Sequence, residues 1–181
     1  LAAICAEKDV HLLDAPVSGG FMGAYEGTLA LMVGGTQEAV DLVREPFAAF
    51  ATLVAHLGPV GAGTRAKLAR NLITFASYAA VGEAMRLAEA GGVDLNLLGQ
   101  VVRHSDKVTG GPGSIMVRPT AAPLDPSDGM YEIFSHGSAL GEKDLRLAIT
   151  LGDELGVDTP IARLAVDHLL SSMGMKKEEG S

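Results

Sequence analysis

Lys67 and Asn71 stand four residues apart, just after the glycine-rich stretch Gly61-Ala62-Gly63. They fall in the opening turns of a long run of helix-forming residues. On a helix that spacing places both side chains on one face. The positive end of a helix dipole disfavours a cation, and partial desolvation adds to the effect. A lysine so placed suits proton donation and acceptance. Asn71 offers a donor and an acceptor that can hold a hydroxyl or a carboxylate beside it. An ordinary solvated lysine on an amphipathic helix has the same spacing, and spacing alone does not separate the two.

A second stretch, Asp14-Ala15-Pro16-Val17-Ser18-Gly19-Gly20, ends an apolar run on proline and then spends two glycines. Consecutive backbone N–H groups with no side chain over them, together with the Ser18 hydroxyl, can bind a carboxylate or a phosphate. A plain tight turn accounts for the same residues, and this motif alone does not displace it. A third pair, Lys143 and Asp144, reads as the opening half of a helix and, on physical grounds, as ordinary surface charge. His11, His56 and His168 have no metal-ligand spacing and read as structural residues, so no metal site is expected. His104 lies at an expected helix end, where the dipole favours it. Arg118 is an anion-binding candidate in a loop, where arginines are more often solvated.

The elements that must position these residues come in two textures. Up to about residue 60 the chain reads as mixed α/β. His11–Val17, Leu29–Gly35 and Thr52–Gly58 are short apolar runs bounded by Gly or Pro, the pattern of buried strands. Residues 36–51 read as a helix with Thr36 as N-cap, and Pro46 is expected to kink or end it. Residues 64–92 read as one long helix stopped by Gly91-Gly92. A short helix is expected from Asp94 to about His104, then an irregular segment over 105–137, rich in Gly, Pro, Ser and Asp. Helices over Ala139–Leu155 and Ile161–Met173 follow, and the tail from Lys176 is expected to fray.

Composition bounds the function. With 181 residues, 48% hydrophobic and 20% charged, the chain can bury a core. A net charge of −8 argues against nucleic acid as a partner. No apolar run reaches the roughly 18 residues of a membrane helix, so no membrane partner is expected. A single cysteine, Cys5, cannot form an internal disulfide, which favours a cytoplasmic setting. Cys5 itself reads as an inert helical residue. The chain opens on Leu1 in what reads as the middle of a helix, so an N-terminal part of a larger protein is expected to be missing.

The stretches that begin at Asp14, Gly58, Lys143 and Gly156, taken in this order, resemble the β-hydroxyacid dehydrogenase family. That family includes 3-hydroxyisobutyrate dehydrogenase and tartronate semialdehyde reductase. Asp14 to Gly20, Gly23-Ala24, Gly27-Thr28-Leu29 and Met32-Val33-Gly34-Gly35 match its first motif. The Gly-x-Gly-x-x-x-Lys-x-x-x-Asn pattern from Gly61 to Asn71 matches its second. The resemblance implies an α/β remnant of a Rossmann-type domain over residues 1–60. An all-α domain like the C-terminal domain of 6-phosphogluconate dehydrogenase would follow over residues 61–181.

The resemblance also implies roles. Ser18, Gly19 and Gly20 would bind the substrate carboxylate. Lys67 would be the catalytic acid/base, Asn71 would orient the substrate, and Lys143 with Asp144 would reach the cofactor, NAD or NADP. The implied reaction is oxidation of the CH–OH group of a small hydroxyacid, or reduction of the matching semialdehyde, in a homodimer or homotetramer built through the helical domain. Relatives carry an aromatic shortly before the Lys-Asp-Leu motif, and Phe134 and His136 are the candidates here. The Gly-x-Gly-x-x-Gly fingerprint, which lies upstream in the family, is absent. The chain by itself is therefore expected to be inactive. The alternative reading is a non-catalytic helical oligomerisation or acid-binding module.

Overall fold

The computed structural model describes residues 1–176. Of the expected frayed tail, all but Lys176 lies outside them. The chain divides into two compact units, Leu1–Phe75 and the residues from Ala76 onward.

The first unit begins with a short helix, α1 (Ala2–Ala6), and an extended segment that leads to β1 (Val17–Ser18). A short helix, α2 (Gly20–Glu26), follows, then β2 (Leu29–Gly34), α3 (Gln37–Ala48) and β3 (Ala51–Gly58). The three strands form one sheet in the order β1-β2-β3. β1 runs antiparallel to β2, with Val17 opposite Leu31 and Ser18 opposite Ala30. β2 and β3 are parallel, the arrangement that requires a crossover, and α3 supplies it. Thr36 caps α3 as expected, its hydroxyl accepting from the Ala39 N–H at 3.2 Å. Pro46 sits in the last turn of α3, which ends two residues later. Leu29, Leu31, Val33, Val40 and Ala51 form the core of this unit, with Leu13, Ala15, Phe47 and Val54 packed around it.

The expected strand over His11–Val17 is corrected by the structure. Only Val17 and Ser18 form a regular strand, preceded by an isolated bridge between Asp14 and Gly34. Pro16 has no N–H, so it contributes only its carbonyl, which accepts from the Met32 N–H at 3.0 Å. The result is an interrupted ladder along β2.

A long helix, α4 (Ala62–Ala90), follows β3, and the division between the units falls inside it. Next come α5 (Leu95–Thr109), a 3₁₀ turn (Gly111–Ile115), α6 (Tyr131–Leu155) and α7 (Pro160–Ser172). The irregular segment expected over 105–137 is thus much shorter. α5 is capped by the Asp94 carboxylate, which accepts from the N–H groups of Asn96 and Leu97. It continues through Ser105 and Asp106 until Gly110 turns left-handed. α6 begins eight residues earlier than expected. Its first turns are held by Phe134, buried with Leu124 and Met175, and the buried Ser138 hydroxyl donates to the Phe134 carbonyl at 2.7 Å. Tertiary burial here overrides the weak helix propensity of Ser and Gly.

In the second unit α6 packs on α7. The N-terminus of α7 receives no side-chain cap from its own Thr159. Glu83, on α4 and only 5% exposed, accepts from the N–H groups of Ile161 and Ala162, each at 2.8 Å. This satisfies donors that would otherwise be orphaned.

Candidate active site

β2 and the start of α4 converge on one short segment of the first unit, residues 14 to 20. Asp14 is paired to Gly34 through its backbone, N–H to O at 3.0 Å and O to N–H at 2.8 Å. Its carboxylate reaches the start of α4. Oδ1 accepts from the Gly61 N–H at 2.6 Å and Oδ2 from the Thr64 N–H at 2.6 Å. Burial alone would push this carboxyl up, but hydrogen bonds from Thr64 and Gly61 stabilise the anion and bring it below the ordinary carboxylate value.

Two glycines make this approach possible. A Cβ on Gly63 would lie 2.7 Å from the Asp14 carbonyl oxygen and closer still to that of Met32. A Cβ on Gly34 would collide with the Asp14 carboxylate and come within 2.8 Å of the Pro59 carbonyl oxygen. The first turn of α4 therefore packs backbone against backbone on β2.

One turn beyond Thr64, Lys67 is half-buried, and its Nζ donates to the Val17 carbonyl oxygen at 2.5 Å. The ammonium thus sits beside the residue that precedes Ser18-Gly19-Gly20. Gly19 (φ 133°) and Gly20 (φ 63°) both hold conformations that favour glycine. Nothing lies within 4 Å of where a Gly20 Cβ would be, so the backbone is open there, whereas a Gly19 Cβ would meet Leu29 Cδ2 at 2.9 Å. Asn71 lies one turn after Lys67, and its Oδ1 accepts from Arg70 Nη1 at 3.3 Å. The structure brings Lys67 to the Ser18 segment in direct contact and places Asn71 on the same helix.

Lys143 and Asp144 belong to the second unit. They lie mid-way along α6 rather than in its opening half, because that helix starts early at Tyr131. They form an ion pair at 2.9 Å, with side chains 60% and 62% exposed. Phe134, a candidate for the substrate-site aromatic, is instead a core residue, while His136 is exposed. Arg118 is not solvated as a loop arginine would be. Its guanidinium donates to the carbonyls of Ala122 (3.0 Å) and Ser172 (3.5 Å) and lies over the Phe134 ring. His56 bonds the Gly35 and Gly58 carbonyls at 2.9 and 3.1 Å, which ties together the ends of β2 and β3. Among the described residues no group of three or more His, Cys, Asp or Glu could hold a metal ion, and no helix is long and apolar enough to cross a membrane.

Sequence reasoning treats Asp14 only as part of a motif and misses its contact with α4. The signal is an acidic residue four positions before a Ser-Gly-Gly, which carries no local hint of a partner some 50 residues on.

This arrangement matches known proteins along the whole chain. Residues 1–58 match the model of the NAD-binding domain of 6-phosphogluconate dehydrogenase. Residues 61–180 match that of the NAD-binding domain of NADP-dependent 3-hydroxyisobutyrate dehydrogenase. The chain belongs to the 3-hydroxyisobutyrate dehydrogenase family of β-hydroxyacid dehydrogenases. The cofactor of this family is NAD or NADP. The expected fold stands: part of a Rossmann-type domain followed by helices.

Among the relatives of this 3-hydroxyisobutyrate dehydrogenase family member, an uncharacterized oxidoreductase of Mycobacterium tuberculosis is 52% identical over 97% of the chain and 59% of its own length. An NAD-dependent L-serine dehydrogenase of Pseudomonas aeruginosa is 34% identical over 99% of the chain and 60% of its own length. The crystal structure of a putative oxidoreductase from Mycobacterium avium superposes with a TM-score of 0.92 at 50% identity, covering 97% of this chain and 64% of that one. The chain spans about 60% of the length of the curated relatives it matches.

Proposed function

We propose that the protein is an NAD(P)-dependent oxidoreductase that acts on the CH–OH group of a small β-hydroxyacid, or reduces the matching semialdehyde. The observation that carries this reading is the Lys67 ammonium held 2.5 Å from the Val17 carbonyl, next to Ser18. The Ser18 hydroxyl and the N–H groups of Gly19 and Gly20 bind the substrate carboxylate. Gly20 suits this because its backbone is open to space and carries no side chain. Lys67 protonates the substrate carbonyl oxygen on reduction and accepts the hydroxyl proton on oxidation. Asn71, one turn further, orients the reacting oxygen.

The bound nicotinamide supplies or takes the hydride. Lys143, whose ammonium is paired to its neighbour Asp144 and largely exposed, fits a contact to an anionic group of that cofactor. The relatives' names point to 3-hydroxyisobutyrate and L-serine as the first substrates to test. We assign residues 1–60 to the nucleotide-binding domain and 61–181 to the helical domain, a division supported by where the two family models meet. The helical domain forms a homodimer or homotetramer. Leu97, Val101 and Val108 support this, since they leave a stripe of exposed apolar side chains along α5. The single cysteine suits a cytoplasmic protein.

The test is Lys67→Ala in the full-length protein, assayed with NAD and NADP against both substrates. Loss of general acid–base catalysis lowers kcat by roughly 10²- to 10⁴-fold in a protein that still folds. Undiminished turnover would refute the role of Lys67.

A further inference from the structure

Three attachments fix the start of α4 to the segment that carries Ser18. The Asp14 carboxylate holds the N–H groups of Gly61 and Thr64. Gly63 sits against the Met32 and Asp14 carbonyls with no room for a side chain. Lys67 Nζ closes the loop on Val17 O. Asp14 and Val17 are three residues apart on an extended backbone, about 10 Å. Thr64 and Lys67 are three residues apart on a helix, a rise of about 4.5 Å. The longer separation on the strand is bridged by the lysine side chain, so the two contacts brace each other. A slip of α4 by one residue rotates it by about 100° and carries Nζ off the Val17 carbonyl.

The Asp14 backbone cannot follow such a slip, because it is bonded to Gly34 in both directions. A carboxylate with one oxygen on each of two amides sets both the height and the rotation of a helix, which a single cap bond does not.

We infer that Asp14 is a positioning residue for Lys67: by clamping the first turn of α4 it sets the lysine ammonium against the Ser18 segment. The inference rests on the proposed acid/base role of Lys67. Both Asp14 carboxylate oxygens are taken up by the Gly61 and Thr64 amides, so it acts through Lys67. Its charge and its two acceptor oxygens are both needed, since an amide in its place would turn an N–H₂ toward one of the two donors.

The experiment uses Asp14→Asn in the full-length protein with two readouts. The first is the ¹H–¹⁵N resonance of the Lys67 ammonium, assigned by its absence in Lys67→Arg. The second is the split between kcat and the KM for the nicotinamide. Positioning predicts that the resonance moves to that of a solvated lysine. It also predicts that kcat falls about tenfold, the equivalent of one charge-assisted hydrogen bond, with the cofactor KM unchanged. A folded Asp14→Asn protein with an unmoved Lys67 resonance overturns the inference, whether or not kcat falls. If that variant does not fold, Thr64→Ala decides. It removes only the Thr64 hydroxyl contact to Asp14, and a smaller movement in the same direction supports the clamp while none overturns it. Full turnover by Lys67→Ala would instead sink the parent reading, a result that leaves the resonance assay to judge the clamp alone.

Discussion

Replacing Gly63 by alanine should loosen the whole junction between α4 and β2. The added Cβ would stand 2.7 Å from the Asp14 carbonyl oxygen and nearer to that of Met32. A relaxed carbon–oxygen contact needs about 3.3 Å. Relief therefore requires the helix to lift by about 1 Å, because both obstacles are backbone atoms in a paired sheet. Such a lift stretches the Asp14 bonds from 2.6 Å to roughly 3.6 Å, beyond hydrogen-bond range. Two charge-assisted bonds at a partly exposed site are worth about 1.5 kcal/mol each, the low end of the range. Overpacking that remains adds about 1 kcal/mol.

The expected loss is thus about 4 kcal/mol, a large share of the roughly 5–15 kcal/mol by which a folded domain is usually stable. Urea unfolding followed by circular dichroism, extrapolated linearly to water, measures it. A Gly63→Ala protein within about 0.5 kcal/mol of the parent, the size of an ordinary surface change, would show that α4 does not lie on β2 as described.

Two further perturbations probe the carboxylates that cap helices from afar. Asp14 has a lowered pKa when folded, so its stabilising contribution is complete above the unfolded value of about 3.9 and is lost as pH falls through the folded value. The stability difference between the parent and Asp14→Asn should be flat from about pH 5 to 8 and shrink below about pH 4; a difference that grows on acidification would contradict the clamp. Glu83→Gln leaves one of the Ile161 and Ala162 amides facing an N–H₂ group in a buried site. It should cost about 2–3 kcal/mol, read as a lowered urea midpoint with unchanged slope, and an unaltered midpoint would mean that α7 is capped by something else.

Much of the fold was legible because its signals are local. Thr36 caps the helix it immediately precedes, Gly91-Gly92 stops the helix before it, and the apolar runs at 29–35 and 52–58 hold the strands Leu29–Gly34 and Ala51–Gly58, although the helix expected over 36–51 ends at Ala48 and leaves Ala51 to β3. The readings that failed did so where burial decided. Residues 131–137 carry Ser, His and Gly, and read as loop, yet Phe134 is buried with Leu124 and Met175 and draws the chain into helix. Arg118 read as a solvated loop arginine, yet it braces carbonyls at Ala122 and Ser172, the second 54 residues away. His11–Val17 read as a continuous strand, yet it pairs on β2 only in patches around Pro16.

By itself the sequence determined which residue types are available and in what spacing: Lys67 with Asn71 on one helical face, Ser18 before two glycines, Gly61 and Gly63 at a helix entry. Only the tertiary structure decided that these stretches meet. Asp14 finds Gly61 and Thr64 at sequence separations of 47 and 50, and Glu83 finds Ile161 and Ala162 at 78 and 79. A helix start must satisfy its free N–H groups, but any carboxylate that the packing delivers will serve. Neither the donor nor the acceptor carries a local mark of its partner. The choice belongs to the closure of the chain, and here that closure carries Lys67 to the carbonyl of Val17.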